Sequence, residues 1–178
     1  MRLRQMAVAF LINEEEQILF LQKKEKSAFL PGMLVPVGGH IEITEMNEPK
    51  VACLRELKEE TGLTEENIHH LTLKYIVLRM KGIEEIRMQY VFFGHVPKAR
   101  PLLESDEGEL SWLNQEEIEN ASVTATTKEI IDHYRNEQEN EHVYVGTMKA
   151  NRENPAITWA LLEDWETYNK NLKPRLKS

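Results

Sequence analysis

The chain has 178 residues, which is enough for one domain that buries a core without disulfides or a structural metal. Its 30 Asp and Glu residues outnumber 22 Lys and Arg, and the resulting net charge of −8 argues against a nucleic-acid polymer as the main partner. No apolar run approaches the roughly 18 residues that a membrane span needs. The single cysteine, Cys53, excludes an intramolecular disulfide, so we expect a cytoplasmic protein.

The first elements in chain order are predicted to be two strands and a loop. Apolar runs at residues 4–12 and 18–22 flank the polar turn at residues 13–16 and predict a β-hairpin. Residues 31–39 hold three glycines and two prolines, and this composition predicts a loop with unusual backbone angles.

A helix is predicted over residues 50–61, with Pro49 in its first turn and Gly62 at its C-terminal cap. One side of this helix is expected to dock on a sheet through Val51, Leu54, Leu57 and Thr61. The opposite side carries three carboxylates, those of Glu56, Glu59 and Glu60, within one third of the helix circumference.

The second half of the chain is predicted to continue with strands and one further helix. Residues 71–80 and 86–96 are expected to form strands, and residues 109–113 a shorter one. A helix is predicted over residues 126–136. We expect a domain over residues 1–140 and an extension over 141–178 that packs on it through Trp159, Leu161, Leu162 and Trp165 and ends in a basic tail.

The three helix carboxylates are the main signal for chemistry. Like charges at positions i and i+4, here Glu56 and Glu60, repel each other, and a divalent cation turns that repulsion into binding energy. Hard oxygen ligands of this kind suit Mg²⁺ or Mn²⁺. Arg55 precedes Glu59 by four residues and is expected to orient its carboxylate. A solvated acidic helix face is the alternative interpretation.

The segment resembles the Nudix box, G-x5-E-x7-R-E-U-x-E-E-x-G-U, in which U is a bulky aliphatic residue. The matching residues are Gly39, Arg55, Glu56, Leu57, Glu59, Glu60, Gly62 and Leu63. The order of elements over residues 1–137 is similar to that of MutT-like Nudix hydrolases. The resemblance implies an α/β fold, namely an α/β/α sandwich around a mixed β-sheet, and metal-dependent cleavage of a diphosphate bond in a nucleotide.

The resemblance also implies roles for individual residues. Glu56, Glu59 and Glu60 would hold the metal, and Gly38 and Gly39 would let the backbone approach it closely. The acidic stretch 104–109 would supply a further glutamate, for which Glu107 is the best candidate. Glu56, Glu59 or Glu107 would be the general base.

The sequence departs from the family pattern at one place. Nine residues separate Glu45 from Arg55, where the Nudix box has seven, so the loop before the helix carries a two-residue insertion. The largely structural role of the first box glutamate could pass to Glu45 or be lost.

The substrate expected from this resemblance is a small nucleotide, such as a nucleoside triphosphate or oxidised dGTP. Residues 120–127 contain no Asp or Glu, which weakens the case for oxidised guanine. One alternative is hydrolysis of ADP-ribose or a nucleotide sugar. An alternative of another class is a non-catalytic nucleotide-binding regulatory module, and the oligomeric state stays open.

Overall fold

The structure is a computed structural model that describes residues 1–103, 105–138, 140–149 and 155–164. The described strands are β1 (Arg2–Ile12), β2 (Ile18–Lys23), β3 (Leu34–Val35), β4 (Val37–His40), β5 (His69–Lys81), β6 (Glu85–His95), β7 (Gly108–Leu113), β8 (Val143–Met148) and β9 (Ile157–Leu162). The described helices are α1 (Pro49–Thr61), α2 (Gln115–Asn120) and α3 (Ala125–Asn136).

All of these strands join one mixed sheet. Its main order is β3-β2-β1-β6-β5-β8-β9, while β4 also pairs with β1 and β7 also pairs with β2. The pairs β1–β6 and β5–β8 are parallel, and the other pairs are antiparallel. The sheet is therefore mixed, as predicted.

Helices cover both faces of this sheet because its central strands are apolar on both sides. In β1, Ala7, Ala9 and Leu11 face the core under α1, whereas Val8, Phe10 and Ile12 face the core under α2 and α3. Each of these six side chains is less than one tenth exposed. The alternation of side chains along a strand thus produces two separate cores and the predicted α/β/α sandwich.

Of two local predictions about the N-terminal half, the loop over residues 31–39 is wrong, whereas the hairpin of β1 and β2 is confirmed but short. Residues 31–39 are not wholly a loop, because β4 pairs with β1 from Met6 to Ala9. Strands β1 and β2 share only the register pair Ile12 and Ile18, because β1 then pairs with β4 and β2 with β7. The turn between β1 and β2 is nevertheless formed, and β3 and β4 place the glycines beside the central strand.

The buried side of α1 also differs from the prediction. Val51 is 51% exposed, whereas Ala52 and Cys53 are fully buried together with Leu57. The helix is therefore rotated so that its small residues face the sheet. This rotation turns Glu60 toward the interior, where it is only 5% exposed.

The segment after α3 contributes β8, which pairs with β5, and the edge strand β9. Trp159 on β9 packs against Tyr75, with ring centroids 4.9 Å apart. Leu161 and Leu162 are 44% and 52% exposed. Trp165 and the basic tail lie outside the described residues. No described helix combines the length and apolar character required to cross a membrane.

Candidate active site

Glu60 lies near the end of α1 and is the most enclosed of the three helix carboxylates. The helix ends at Gly62, whose positive φ of 77° suits glycine and lets its N–H donate to the carbonyl of Lys58. Glu60 accepts a hydrogen bond of 2.9 Å from the backbone N–H of Gly38. Burial raises the pKa of the Glu60 carboxyl to about 7. Ionising Glu60 in this position therefore costs free energy, and a bound cation would offset that cost.

The two glycines of β4 allow α1 to approach the sheet. Gly38 has φ of 139°, and a side chain there would collide with the backbone of Ala7. A Cβ atom on Gly39 would lie 2.6 Å from the carboxylate atoms of Glu56. Burial raises the pKa of Glu56 as well. The absence of a side chain at Gly39 therefore makes the space that the Glu56 carboxylate occupies.

Arg55 joins three glutamates and a backbone carbonyl. Its guanidinium donates to both oxygens of Glu45 at 2.8 and 3.0 Å, and to Glu56 and Glu59 at 2.8 and 3.2 Å. It also donates to the carbonyl of His40 at 3.0 Å. Arg55 thus contacts Glu59 four residues further along α1, and it also ties α1 to the end of β4.

Glu45 contacts Arg55 although the loop between them carries the two-residue insertion. Glu45 is 7% exposed, and the hydrogen bonds from Arg55 hold the pKa of its carboxyl below the usual value. A short 3-10 turn at Ile43–Glu45 directs the carboxylate inward, while Ile43 and Met46 are 89% and 49% exposed. The inserted residues are thus accommodated on the solvent side, and the contact between Glu45 and Arg55 is formed.

Lys23 connects the helix to the acidic loop and was missed by the sequence analysis. Its ammonium forms an ion pair with Glu107 and lies 3.9 Å from Glu60. Lys23 is the last residue of β2 and pairs in register with Gly108 at the start of β7. The pairing of β2 with β7 therefore brings Glu107 to the site, and only the topology reveals this proximity.

The carboxylates surround the site without converging on one point. Glu56, Glu60 and Glu107 are close enough for Glu107 to raise the pKa of the other two. Glu59 is more peripheral, with a side chain that is 59% exposed and bound to Arg55. Among the described residues, no three His, Cys, Asp or Glu side chains form a ready metal cage. Lys23 and Arg55 occupy the carboxylate oxygens instead.

The donor set fits a hard divalent cation. It consists of carboxylate oxygens, and two of the carboxylates, Glu56 and Glu60, are partly desolvated. Gly38 and Gly39 leave space beside them because they have no side chain. The other titratable groups contribute less: Cys53 is buried with its pKa raised to about 12, and His69 and His70 are exposed.

A cavity of about 670 Å³ opens beside these carboxylates. Gly38, Gly39, Glu56 and Glu107 line one side, and Phe29 lines the mouth. The start of α3 contributes a wall of hydroxyl groups from Thr124, Thr126 and Thr127. The floor contains arginines from three strands of the sheet, Arg4, Arg79 and Arg87.

Comparisons with known proteins agree with this geometry. The NUDIX domain family model matches residues 2–134, which is more than half of the chain. A search of curated proteins found no significant match.

Solved structures show the same fold at low sequence identity. A MutT protein from Methanosarcina mazei is 24% identical, with a TM-score of 0.63 over 78% of this chain and 97% of the other. A MutT protein from Bacillus halodurans is also 24% identical, with a TM-score of 0.64 over 89% and 97%. An Ap4A hydrolase from C. elegans is 17% identical, with a TM-score of 0.60 over 76% and 98%. The family match and the shared fold establish that the chain belongs to the Nudix family and is a hydrolase acting on phosphorus-containing anhydrides.

Proposed function

We propose that the protein cleaves the diphosphate linkage of a nucleoside triphosphate or a related nucleotide with the help of Mg²⁺ or Mn²⁺. The observation that carries this proposal is a pair of partly desolvated carboxylates beside a cavity large enough for a nucleotide. Glu56 lines the cavity, and Glu60 lies 3.9 Å from the ammonium of Lys23, which also lines it. Carboxylates with raised pKa values in a cleft are typical of functional sites.

Glu56, Glu60 and Glu107 are the residues that we expect to hold the cation, with Glu59 at the periphery. When bound, the cation would neutralise the diphosphate and polarise it for attack by water. Lys23 lies between Glu60 and Glu107 and would release them to the cation while turning its own charge toward the substrate phosphates. Arg55 holds Glu56 and Glu59 in place, and Glu56, Glu59 and Glu107 are the candidates for accepting the proton of the attacking water.

The hydroxyl groups at the start of α3 help to indicate which nucleobase the cavity accepts. They belong to threonines, and residues 120–127 contain no carboxylate to accept hydrogen bonds from the N–H groups of a guanine edge. We therefore place ordinary nucleotides ahead of oxidised dGTP. ADP-ribose and nucleotide sugars remain the second candidate class, because the cavity continues beyond the carboxylates to the arginine floor.

A release assay over a substrate panel tests the proposal. The panel contains nucleoside triphosphates, oxidised dGTP, diadenosine tetraphosphate, ADP-ribose and nucleotide sugars, each with Mg²⁺, with Mn²⁺ and with chelator. We expect metal-dependent cleavage of at least one member, and the identity of the products locates the bond that breaks. No turnover above background with either metal across the panel would contradict the proposal.

A further inference from the structure

Three arginines form a continuous row across the cavity floor. Arg4 on β1 is the register partner of Arg87 on β6, and Arg87 is in turn the partner of Arg79 on β5. Side chains of directly opposed residues lie on the same face of a sheet. All three arginines line the cavity, so the row points into the space that the substrate would fill.

The row has more positive charge than its protein partners neutralise. Glu85 accepts a hydrogen bond of 2.7 Å from Nε of Arg87 and lies 4.0 Å from Nε of Arg4. Arg79 is half-buried and has no ion pair with any residue in the described part of the chain. Burial and the neighbouring Arg87 lower the pKa of Arg79. Glu85 thus contacts two of the three guanidinium groups, and the third has no ion pair among the described residues.

Like charges on adjacent strands destabilise a sheet, so the row needs a compensating anion. Guanidinium groups bind phosphate in a bidentate manner, and a row of them suits a dianion better than a neutral base or sugar. The ring of Phe29 lies 5.8 Å from Cζ of Arg87 and provides a flat apolar surface beside the same group. Phosphate and aromatic contacts would therefore be available together.

The row is near the carboxylate site but separate from it. Gly39 pairs in register with Ala7 on β1, and Arg4 lies three residues before Ala7 on the same strand. At a rise of about 3.3 Å per residue, the Cα atoms of Arg4 and Ala7 are roughly 10 Å apart. This separation lets one nucleotide reach both places.

We propose that the arginine row Arg4–Arg87–Arg79 binds a second phosphate group, carried on the ribose of the nucleotide whose diphosphate is cleaved at Glu56 and Glu60. The inference rests on the proposed function for the location of the diphosphate. It narrows the substrate class to nucleotides that bear a ribose phosphate in addition to the 5′-diphosphate.

The test is calorimetric binding of non-hydrolysable ligands to the full chain in Mg²⁺ buffer. Adenosine 3′,5′-bisphosphate and adenosine 2′,5′-bisphosphate are compared with AMP, and none of the three contains an anhydride bond. We expect at least one bisphosphate to bind ten times or more tightly than AMP, and the better one identifies the ribose position. Because no turnover is needed, a failed hydrolysis assay and a failed binding test are distinguishable.

Variants then assign the effect to the row. Arg79→Gln should abolish most of the preference for the bisphosphate over AMP. Arg4→Gln is a second variant within the row, and Arg100→Gln makes the same charge change on an exposed loop residue that does not line the cavity. Thermal melting checks that each variant is folded. Equal affinity for AMP and both bisphosphates, or a preference that survives both row variants, would overturn the proposal.

Discussion

Glu60 is expected to weaken the fold while supporting the reaction. Its carboxyl pKa is raised from 4.5 to about 7, so between these values the folded protein retains a proton that the unfolded chain releases. Stability therefore falls as pH rises through this window. Glu60→Gln removes that penalty and should increase the free energy of unfolding at pH 8 by about 1–3 kcal/mol in chelator, with little change at pH 4.

The same substitution should impair catalysis. Losing one anionic ligand should cost roughly a hundredfold or more in kcat, or about 3 kcal/mol. Denaturant unfolding at the two pH values and turnover at saturating Mg²⁺ measure the two effects, with the exposed Glu66→Gln as control. Equal stability of the variant and the native chain at pH 8 would show that the buried charge carries no penalty.

The contact between Glu45 and Arg55 should stabilise the fold, in contrast to the buried charge of Glu60. Glu45→Gln removes a charged partner that accepts two hydrogen bonds from Arg55, and we expect a loss of about 1–2 kcal/mol in the free energy of unfolding at pH 7. The pKa of Glu45 is lowered, chiefly by Arg55, so this contribution is present above the unfolded-state pKa and is lost as pH falls through the lower native value.

Chemical denaturation at pH 7 and pH 3 tests the Glu45 prediction. The variant and the native chain should differ at the first pH and converge at the second, and turnover should fall less than in Glu60→Gln. A variant as stable at pH 7 as Glu66→Gln would mean that the contact with Arg55 does not organise the inserted loop.

At the scale of elements, the contact between β4 and α1 depends on two glycines with different constraints. Gly38→Ala places a methyl group against the backbone of β1, so it should destabilise the fold by several kcal/mol. Gly39→Ala meets only the movable end of Glu56, so it should lower kcat at least about tenfold with a smaller loss of stability.

Gly82→Ala is the matched control for these glycine substitutions. Gly82 also has a positive φ, of 60°, but a Cβ there would meet nothing within 4 Å. Gly82→Ala should lower the free energy of unfolding by about 1 kcal/mol and leave turnover unchanged. If Gly39→Ala retained full activity, the close approach of β4 to Glu56 would be irrelevant to the reaction.

The edge strand β9 should contribute to stability through Trp159. Its ring lies 4.9 Å from that of Tyr75 and 4.6 Å from that of His133. Trp159→Ala should therefore lower the free energy of unfolding by about 2–3 kcal/mol. Leu161→Ala, two residues further along the same strand at a side chain that is 44% exposed, should cost less than about 0.5 kcal/mol. Similar losses for the two variants in denaturant titrations would contradict this assignment.

Local patterns predicted the elements better than their pairing. The period of α1 placed Glu56, Glu59 and Glu60 on one side, and the alternation of apolar residues predicted β5 and β6. Strand β4 was missed because its glycines and proline neighbour disfavour a strand locally, and its partner lies on β1. Lys23 and Arg79 were missed for the same reason, since only the topology brings them to the cavity.

For the whole molecule, a cation that binds only the folded chain should raise its thermal stability. A concentration ten times the dissociation constant corresponds to about 1.4 kcal/mol. We expect Mg²⁺ and Mn²⁺ to raise the melting temperature, NaCl of equal ionic strength to have little effect, and Glu60→Gln to abolish most of the increase. If neither cation raised the melting temperature of the native chain, the result would contradict a metal site at these carboxylates.

The pairing of β1 has a consequence for synthesis on the ribosome. All eleven residues of this strand pair with β6, Arg2 with Glu85 through Ile12 with His95, whereas β4 covers only four of them. The ribosome adds about 5–20 residues per second, so on the order of ten seconds pass between the synthesis of β1 and that of β6. During that interval a nascent apolar strand has unpaired backbone groups along its length. We therefore expect residues 4–12 to stay exposed as an apolar segment of the nascent chain until β6 is made.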